Sequence, residues 1–415
     1  MNWKALEQAL FDAASQALQR LLDESGSPVY AAAFHASYRE EEAHLSLPSF
    51  AANSLEALSE DSPDPTDESF DSVKWNPADW RWDWEICAQA PFLRLEDELQ
   101  AHANRLGPRQ WRAAERRLLV TVSRAARTLG RHFAGHPSVT PGFVVFFHDF
   151  AGAIALAKRS MTRRQFEDNF PVERAIENTV REIARLPLAE QVAYYVGRLS
   201  CFDGITGEEA ERWLIANGLA AQEVLLERLE DSGNPATIAR ILGLAGLADV
   251  RVIQALRRQA IEAGEQSTRR WCSTALGYLG DHDWLGQQAP AMAVKGTCAN
   301  FDGFRWRGKQ PPVLDYRPVE RLLERRPQLQ AATEEVLGSV YSQIDTTQAD
   351  VTEALRGLAS THAIIRRHAA AALNNRGLLP DDAQRAIDAL RLASQDADEQ
   401  VRLAADLGLK ALQRR

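Results

Sequence analysis

The sequence has no long hydrophobic run. Its apolar stretches are short, such as Phe143 to Phe147 in a chain of 415 residues, whereas a helix needs about 20 apolar residues to cross a bilayer. The chain begins with an amphipathic helix pattern in which Glu7 and Asp12 interrupt any signal-peptide core. We therefore expect a cytoplasmic protein without a membrane partner.

Cysteine is scarce. The four cysteines, at positions 87, 201, 272 and 298, form neither a Cys-x-x-Cys pair nor the dense framework of a small secreted domain. We expect them to be reduced thiols. His132 and His136 are four residues apart, but Gly135 and Pro137 interrupt the helix there, and two ligands do not hold zinc. No metal site and no cofactor are predicted.

Motifs for enzymatic chemistry are absent as well. The sequence contains no GxSxG, no GxGxxG and no P-loop. His148-Asp149 follows a predicted strand and Cys201 precedes Asp203, but neither pair has a catalytic partner nearby in the sequence. We predict that the protein is not an enzyme and has no catalytic residue. A pocket that holds His148 and Asp149 together with a third polar group would contradict this prediction.

Charge is distributed unevenly along the chain. Residues 1–106 carry 20 acids and 7 bases, and residues 107–187 carry 7 acids and 14 bases. The helix predicted from Gln110 to Phe133 has an arginine stripe at Arg117, Arg124 and Arg131. Because no nucleic-acid-binding module is present and the whole chain is acidic, we expect this stripe to pack against the acidic N-terminal segment rather than on nucleic acid.

Residues 56–71 form a strongly acidic segment with seven acids, two prolines and no base. Such a run is usually a solvated loop, but clustered carboxylates also steer a cationic partner. Both interpretations stay open. The candidate partner-binding acids are Asp61, Asp64, Asp67, Glu68 and Asp71.

The first 170 residues alternate helical and strand patterns. A helix to Leu22 precedes a hairpin of Val29–Tyr38 and His44–Phe50, two helices meet at Gly107-Pro108, and a buried strand is followed by a last helix near 151–170. If residues 80–84 are extended, Trp80, Trp82 and Trp84 share one face. Trp80 and Trp82 suit either an interface or a core. We predict an α+β domain over residues 1–170.

Residues 171–295 and 319–415 contain only helical patterns. Several helices place an arginine near the start, small residues in the middle and leucine near the end, and Arg366 and Arg402 are 36 residues apart. This pattern resembles HEAT-type repeats over roughly residues 188–415. The resemblance implies an all-α solenoid in which each helix pair buries its apolar stripe against its neighbours.

A segment rich in glycine, proline and aromatic residues separates the two helical regions at residues 296–318. Long segments without regular structure are often functional, and its composition is that of an interface anchor. Whether it is a binding loop or a linker stays open. Its candidate partner-binding residues are Phe301, Phe304, Arg305, Trp306 and Arg307.

The opening helix, the Tyr-Ala-Ala-Ala-Phe strand and the sequence Trp75-Asn-Pro-Ala-Asp-Trp80 resemble a bacterial family of uncharacterised domains with a WxPxxW-type motif. The resemblance covers about residues 1–170. Members of that family look like immunity proteins found beside contact-dependent or type VI secreted toxins, and some are fused to helical repeats. The resemblance implies a role in interbacterial competition and carries over no catalytic residue.

These observations lead to one functional hypothesis and one alternative. We expect a non-enzymatic immunity protein with an α+β N-terminal domain followed by an all-α HEAT-like helical-repeat solenoid, which neutralises a cognate toxin by occluding it. The alternative is a HEAT-type interaction scaffold or adaptor without a toxin partner. The sequence identifies neither the toxin nor the oligomeric state.

Overall fold

The chain forms two compact units, and each is described by itself. The N-terminal unit spans Met1–Ala175 and the C-terminal unit spans Ile176–Arg415. The computed structural model describes residues 1–40, 44–67, 70–88, 90–106, 108–149, 153–231, 233–308, 312–338, 344, 346–374, 378 and 380–413. Within these residues no helix is both long and apolar enough to cross a membrane.

The N-terminal unit has α+β architecture, as predicted. Its elements in chain order are α1 Trp3–Glu24, β1 Val29–His35, β2 Arg39–Glu40, β3 His44–Leu45, β4 Ser49–Ser54, α2 Leu55–Asp61, α3 Phe70–Trp75, β5 Trp82–Trp84, α4 Ala90–Ala103, α5 Pro108–Phe133, β6 Val139–Phe147, α6 Ala153–Ser160 and α7 Arg163–Asn169. Helix α8, Pro171–Ile183, crosses the boundary between the units.

Four strands form the sheet in the order β5-β4-β1-β6. Strand β1 pairs antiparallel with β4 and parallel with β6, so that Phe34 lies opposite both Phe50 and Phe147. Every residue of β1 is buried, because helices cover both faces of the sheet. Strands β2 and β3 form a separate short hairpin.

The two faces of the sheet belong to two hydrophobic clusters. Phe34, Phe50 and Phe147 pack with α1, α4 and α5, whereas Phe146 packs with Trp80 and with residues of α6 and α7. This division follows from the strand period of two, which sends successive side chains to opposite faces.

The structure confirms the buried strand at Phe143–Phe147 and the helix break near Pro108, and it corrects the predicted hairpin. The strand paired with β1 begins at Ser49 instead of His44 and continues to Ser54. His44 belongs to the separate short hairpin. The sequence also predicts a polar turn at residues 40–42 between the two strands of the hairpin, and residues 41–43 lie outside the described residues.

Two further predictions in this unit are wrong. Residues 56–61 of the acidic segment belong to α2 rather than to a loop, because the Ser54 side chain accepts a hydrogen bond from the backbone of Ala57 and Leu58 packs on the sheet. The predicted last helix is two helices, since Thr162 and Gln165 form a capping box that starts α7.

The arginine stripe of α5, predicted to pack against the acidic residues 1–106, faces solvent instead. The side chains of Arg117, Arg124 and Arg131 are exposed. Arg127 instead donates hydrogen bonds to the backbone carbonyls of Arg159 and Met161.

The regular elements in the described part of the C-terminal unit are all helical. After α8 they are α9 Leu188–Gly197, α10 Gly207–Ala216, α11 Gly218–Asp231, α12 Pro235–Leu244, α13 Val250–Glu262, α14 Gln266–Tyr278, α15 His282–Leu285, α16 Pro290–Thr297, α17 Arg317–Arg325, α18 Gln330–Leu337, α19 Gln348–Gly357, α20 Ala363–Ala372, α21 Pro380–Ala393 and α22 Glu399–Gln413, with short 3-10 turns between some of them.

The even-numbered helices from α10 to α22 form one continuous layer, in which each packs against the next even-numbered helix. Helices α9, α11 and α13 pack in sequence beside this layer, and α19 packs against α21. Small residues allow the even-numbered helices to approach closely. A Cβ atom on Gly277 of α14 would lie 1.9 Å from the carbonyl oxygen of Gly296 in α16.

Three arginines near helix starts perform the same structural role. Arg269, Arg366 and Arg402 each donate from Nη1 to the carbonyls of the residues six and five positions earlier, at distances of 2.6 to 3.3 Å. Arg366 also forms a bidentate ion pair with Asp396, with N···O distances of 2.7 and 2.9 Å. The repeated arginine of the sequence therefore fixes the turn that precedes its helix, and Arg366 also joins α20 to the turn before α22.

We expect Arg366→Ala to lower the free energy of unfolding by about 2–3 kcal/mol, because Asp396 is left half-buried without its partner and two carbonyls lose a donor. Arg391→Ala is the matched control, since Arg391 is exposed and pairs with exposed Asp388; its effect should stay within about 0.5 kcal/mol. Urea denaturation followed by circular dichroism measures both. Equal midpoints for the two variants would contradict the assigned role.

Candidate partner-binding groove

A solvent-open groove of about 500 Å³ lies on the layer of even-numbered helices. Helices α14, α16 and α18 contribute Arg270, Lys295 and Val336, and the segment after α16 contributes the other lining residues. Four of the lining residues in that segment are Phe301, Asp302, Phe304 and Arg307. The groove thus brings together three of the residues predicted to bind a partner.

The segment after α16 is held by local hydrogen bonds. It forms two 3-10 turns, Ala299–Phe301 and Gly303–Arg307. The Asp302 side chain accepts a hydrogen bond from the backbone of Phe304 at 3.0 Å. It also forms an ion pair with Lys295 at 2.7 Å. The ion pair therefore attaches the second turn to α16.

Arg305 is part of the core. Its side chain is 3% exposed and pairs with Asp350 of α19, which is 1% exposed, at 3.2 Å. Asp350 also accepts hydrogen bonds from the backbone of Leu314 and from both the backbone and the hydroxyl of Thr347. The predicted role of Arg305 as an interface anchor is therefore wrong, because a buried, paired guanidinium offers a partner no surface. Half-buried Trp306 lies beside it, with its ring 4.4 Å from the Arg305 guanidinium carbon.

Phe301 stacks on a buried polar pair. Its ring centroid lies 5.2 Å from that of Tyr316 and 4.9 Å from that of His368. The hydroxyl of Tyr316 and Nδ1 of His368 are 2.8 Å apart. Burial raises the pKa of Tyr316 and lowers the pKa of His368 to about 3, so both side chains are neutral near pH 7. Phe301 therefore anchors the segment while one side of it lines the groove.

Alternating cations and aromatic rings connect α12, α14 and the second 3-10 turn. The Arg240 guanidinium lies 4.9 Å from the ring of Trp271 and 5.2 Å from the ring of Phe304. Arg307 lies 4.9 Å from the Phe304 ring. Both arginines pair with the buried carboxylate of Glu211, at 2.6 Å for Arg240 and 3.3 Å for Arg307. This network fixes Phe304 at the groove.

Two further cations line the groove, and they differ in whether an acid pairs with them. Lys295 is engaged by Asp302, whereas exposed Arg270 has no ion pair within the residues that the structure describes. Burial raises the pKa of the lining thiol Cys298 to about 12, which keeps it protonated and excludes it as a nucleophile at neutral pH. The chemistry that this arrangement offers is recognition of a carboxylate or an apolar side chain.

Four residues of the site were not among those predicted from the sequence: Arg240, Arg270, Lys295 and Glu211. Arg270 and Trp271 stand inside one of the repeated helix starts, and that repetition was the available signal. Nothing in the sequence distinguishes Glu211 from the exposed glutamates of other amphipathic helices.

The acidic segment of the N-terminal unit is exposed. Asp61, Asp64, Asp67 and Asp71 all face solvent. Hydrogen bonds from the side chain and backbone of Thr66 lower the pKa of Asp64. The candidate Glu68 lies outside the described residues.

The candidate tryptophans lie on different faces of the sheet. Trp82 is half-buried beside Trp84, opposite Ala52 of β4. Trp80 is 5% exposed and belongs to the other cluster, because it precedes β5 and ends a 3-10 turn. The predicted common face is therefore wrong for Trp80, which packs in the core and donates from its ring N–H to the carbonyl of Lys74.

Histidines meet at the carboxyl ends of the parallel strands β1 and β6. His35 and His148 directly follow the paired residues Phe34 and Phe147, and Nε2 of His35 lies 3.1 Å from Asp83. Burial and then the neighbouring His35 lower the pKa of His148. Asp149 is buried and pairs with Arg39 at 2.8 Å.

The other residues that the sequence offered as candidates make contacts that support the fold. Asp203, near Cys201, pairs with Arg198 at 3.1 Å. His132 packs edge-on against Phe11. Within the described residues no group of three histidine, cysteine or carboxylate side chains could hold a metal ion.

Residues 4–133 match a family described as "Domain of unknown function (DUF4303)". The match covers less than half of the chain and ends with α5, before β6 completes the sheet. It includes the Trp75-Asn-Pro-Ala-Asp-Trp80 sequence. No curated protein matches the chain.

Two crystal structures of engineered proteins are among the similar solved structures. One shares 17% identity over 54% of this chain and 97% of its own, with a TM-score of 0.19. The other shares 13% identity over 100% of this chain and 96% of its own, with a TM-score of 0.21. These scores are too low to carry an argument about fold or function.

Stability should fall on acidification because of His368. Between pH 6.5, the ordinary pKa of histidine, and about 3, the unfolded chain binds a proton there that the folded chain excludes. The free energy of unfolding therefore falls as pH drops below 6.5, and His368 accounts for about 2 kcal/mol between pH 7.5 and 5. We expect His368→Asn to remove that part of the decrease in urea denaturation.

His132→Asn is the control, because it replaces an exposed histidine. This substitution should leave the difference in the free energy of unfolding between pH 7.5 and pH 5 the same as in the wild type. An equal decrease in the wild type and His368→Asn would mean that His368 is protonated in the folded chain.

Proposed function

We propose that this chain is a non-enzymatic binding protein of the bacterial cytoplasm that neutralises a secreted toxin by covering its active site. The observation that carries the proposal is the groove on the even-numbered helix layer, which is open to solvent and combines cations with fixed aromatic rings. Aromatic and arginine side chains held in a concave surface are the usual anchors of protein interfaces. The toxin context comes from the family resemblance of residues 1–170.

We further propose that the C-terminal unit is a HEAT-like solenoid. The continuous helix layer and the three equivalent arginines support this architecture. The sequence Leu-Gly-x-x-Gly also ends α12 and, 34 residues later, α14, and its final glycines, Gly246 and Gly280, both have positive φ. Stacked helix pairs of this length build extended surfaces that bind other proteins.

The acidic segment of the N-terminal unit would attract a basic toxin surface. Exposed Asp61, Asp64, Asp67 and Asp71 place negative charge on solvent-facing backbone, and such charge raises the rate of association with a cationic partner. Trp82 follows this segment in the chain, and its half-buried ring on the edge strand β5 would add contact area for the toxin. Occlusion requires no chemistry from the chain itself.

The surroundings of Asp149 favour binding over an enzyme built on His148 and Asp149. Asp149 is held by Arg39, which also pairs with Glu115 at 2.9 Å. A carboxylate fixed in such a network suits a structural role better than proton transfer. A scaffold or adaptor without a toxin is the alternative binding function.

Growth rescue tests this proposal. Each protein encoded next to this chain in its own genome is expressed in a laboratory bacterium with and without the full chain. We expect one neighbour to stop growth, the chain to restore growth, and the two proteins to co-elute in equal amounts. If no neighbour is toxic, or if the toxic one is not rescued, the immunity function is wrong and the scaffold alternative stands.

Two sets of variants test how the rescue works. His148→Asn should rescue fully, since occlusion needs no imidazole; loss of rescue with an unchanged melting temperature would favour an enzyme. Replacing Asp61, Asp64, Asp67 and Asp71 with asparagine should slow association with the toxin about tenfold at low salt. The matched control places amides at exposed acids of the C-terminal unit, Glu262, Glu324, Glu399 and Asp406, and should change the rate less than about twofold.

A further inference from the structure

The groove of the C-terminal unit has a distinctive charge pattern. Three cations, Arg270, Lys295 and Arg307, and one acid, Asp302, line it. Lys295 and Asp302 satisfy each other at 2.7 Å, and Arg307 is oriented by Glu211 at 3.3 Å. Exposed Arg270 is thus the lining cation with no ion pair within the described part of the chain.

We propose that this groove binds an acidic segment of the partner protein, with a carboxylate at Arg270 and a neighbouring apolar side chain on Phe304. This inference rests on the proposed binding function, since it names the class of segment that the groove receives. Arg270 extends from α14, whose next residue, Trp271, contacts Phe304 edge-on at 5.0 Å between ring centroids. The charged and apolar parts of the site are therefore adjacent.

The apolar part of the site is rigid. The guanidinium groups of Arg240 and Arg307 lie 5.2 and 4.9 Å from the centroid of the Phe304 ring, and the Phe304 backbone N–H donates to the Asp302 side chain. Val336 of α18, which is 39% exposed, supplies a second apolar surface in the groove. A side chain that docks here displaces water without reorganising the protein, which favours affinity.

A carboxylate fits this groove better than a nucleic-acid backbone does. Glu208 and Glu211 pair with Arg307, and Asp302 pairs with Lys295, so a continuous row of phosphates would meet negative charge beside two of the three cations. Phosphate-backbone binding needs several unopposed cations in a row. A single carboxylate needs only Arg270 and the outward-facing part of Arg307.

An array of short immobilised peptides tests the inference directly. The peptides differ in net charge, from strongly acidic to strongly basic, and in whether one position is phenylalanine or serine; a single-stranded oligonucleotide is included. We expect the full chain to be retained most by acidic peptides with phenylalanine. Arg270→Glu and Arg270→Ala should lower that retention at least about fivefold, because both remove the unpaired guanidinium.

Arg228→Glu is the matched control, since Arg228 is exposed on α11, outside the lining of the groove. It should retain acidic peptides like the wild type, and all variants should melt at the same temperature. Retention that is independent of peptide charge, stronger on the oligonucleotide, or equally reduced by Arg228→Glu would overturn the inference. The array uses no toxin, so its outcome is independent of growth rescue. If the chain rescues growth but retains peptides regardless of their charge, the proposal about the groove is wrong and the toxin function stands. An array that behaves as expected without growth rescue refutes the toxin function alone.

Discussion

The groove depends on the interactions of the buried Asp350 carboxylate. This carboxylate is buried in α19 and binds Arg305, the backbone of Leu314 and the first turn of its own helix at Thr347. An unpaired charge at this depth would cost several kcal/mol, so the segment that carries Arg305 is held against α19. That attachment, together with Phe301 on Tyr316 and His368, places Phe304 and Arg307 where they can line a surface.

The layer of even-numbered helices provides the second constraint. Close packing at Gly277 and the ion pair of Arg366 with Asp396 hold successive helices of the layer together. Arg270 and Lys295 come from two successive helices of this layer, so their separation is set by helix packing rather than by a loop. A binding surface built in this way is preorganised, and its specificity resides in a few side chains.

Local sequence patterns predicted the elements, whereas long-range contacts determined the site. The apolar run at Phe143–Phe147 and the break at Pro108 identified a strand and two helices, because periodicity and proline geometry act within a few residues. Arg305 has the composition of an interface anchor, yet its partner is 45 residues away and makes it part of the core. Trp80 was misplaced for a local reason, since it ends a 3-10 turn before β5 and is not part of the extended strand.

Hydrogen–deuterium exchange tests the central claim most directly. It compares the full chain alone with its complex with the partner that co-elutes in growth rescue. We expect slower exchange in α14, in α16 and in the segment that carries Phe304, because these elements line the groove. Protection confined to the N-terminal unit, with unchanged exchange in α14 and α16, would contradict the assignment of the groove as the binding surface.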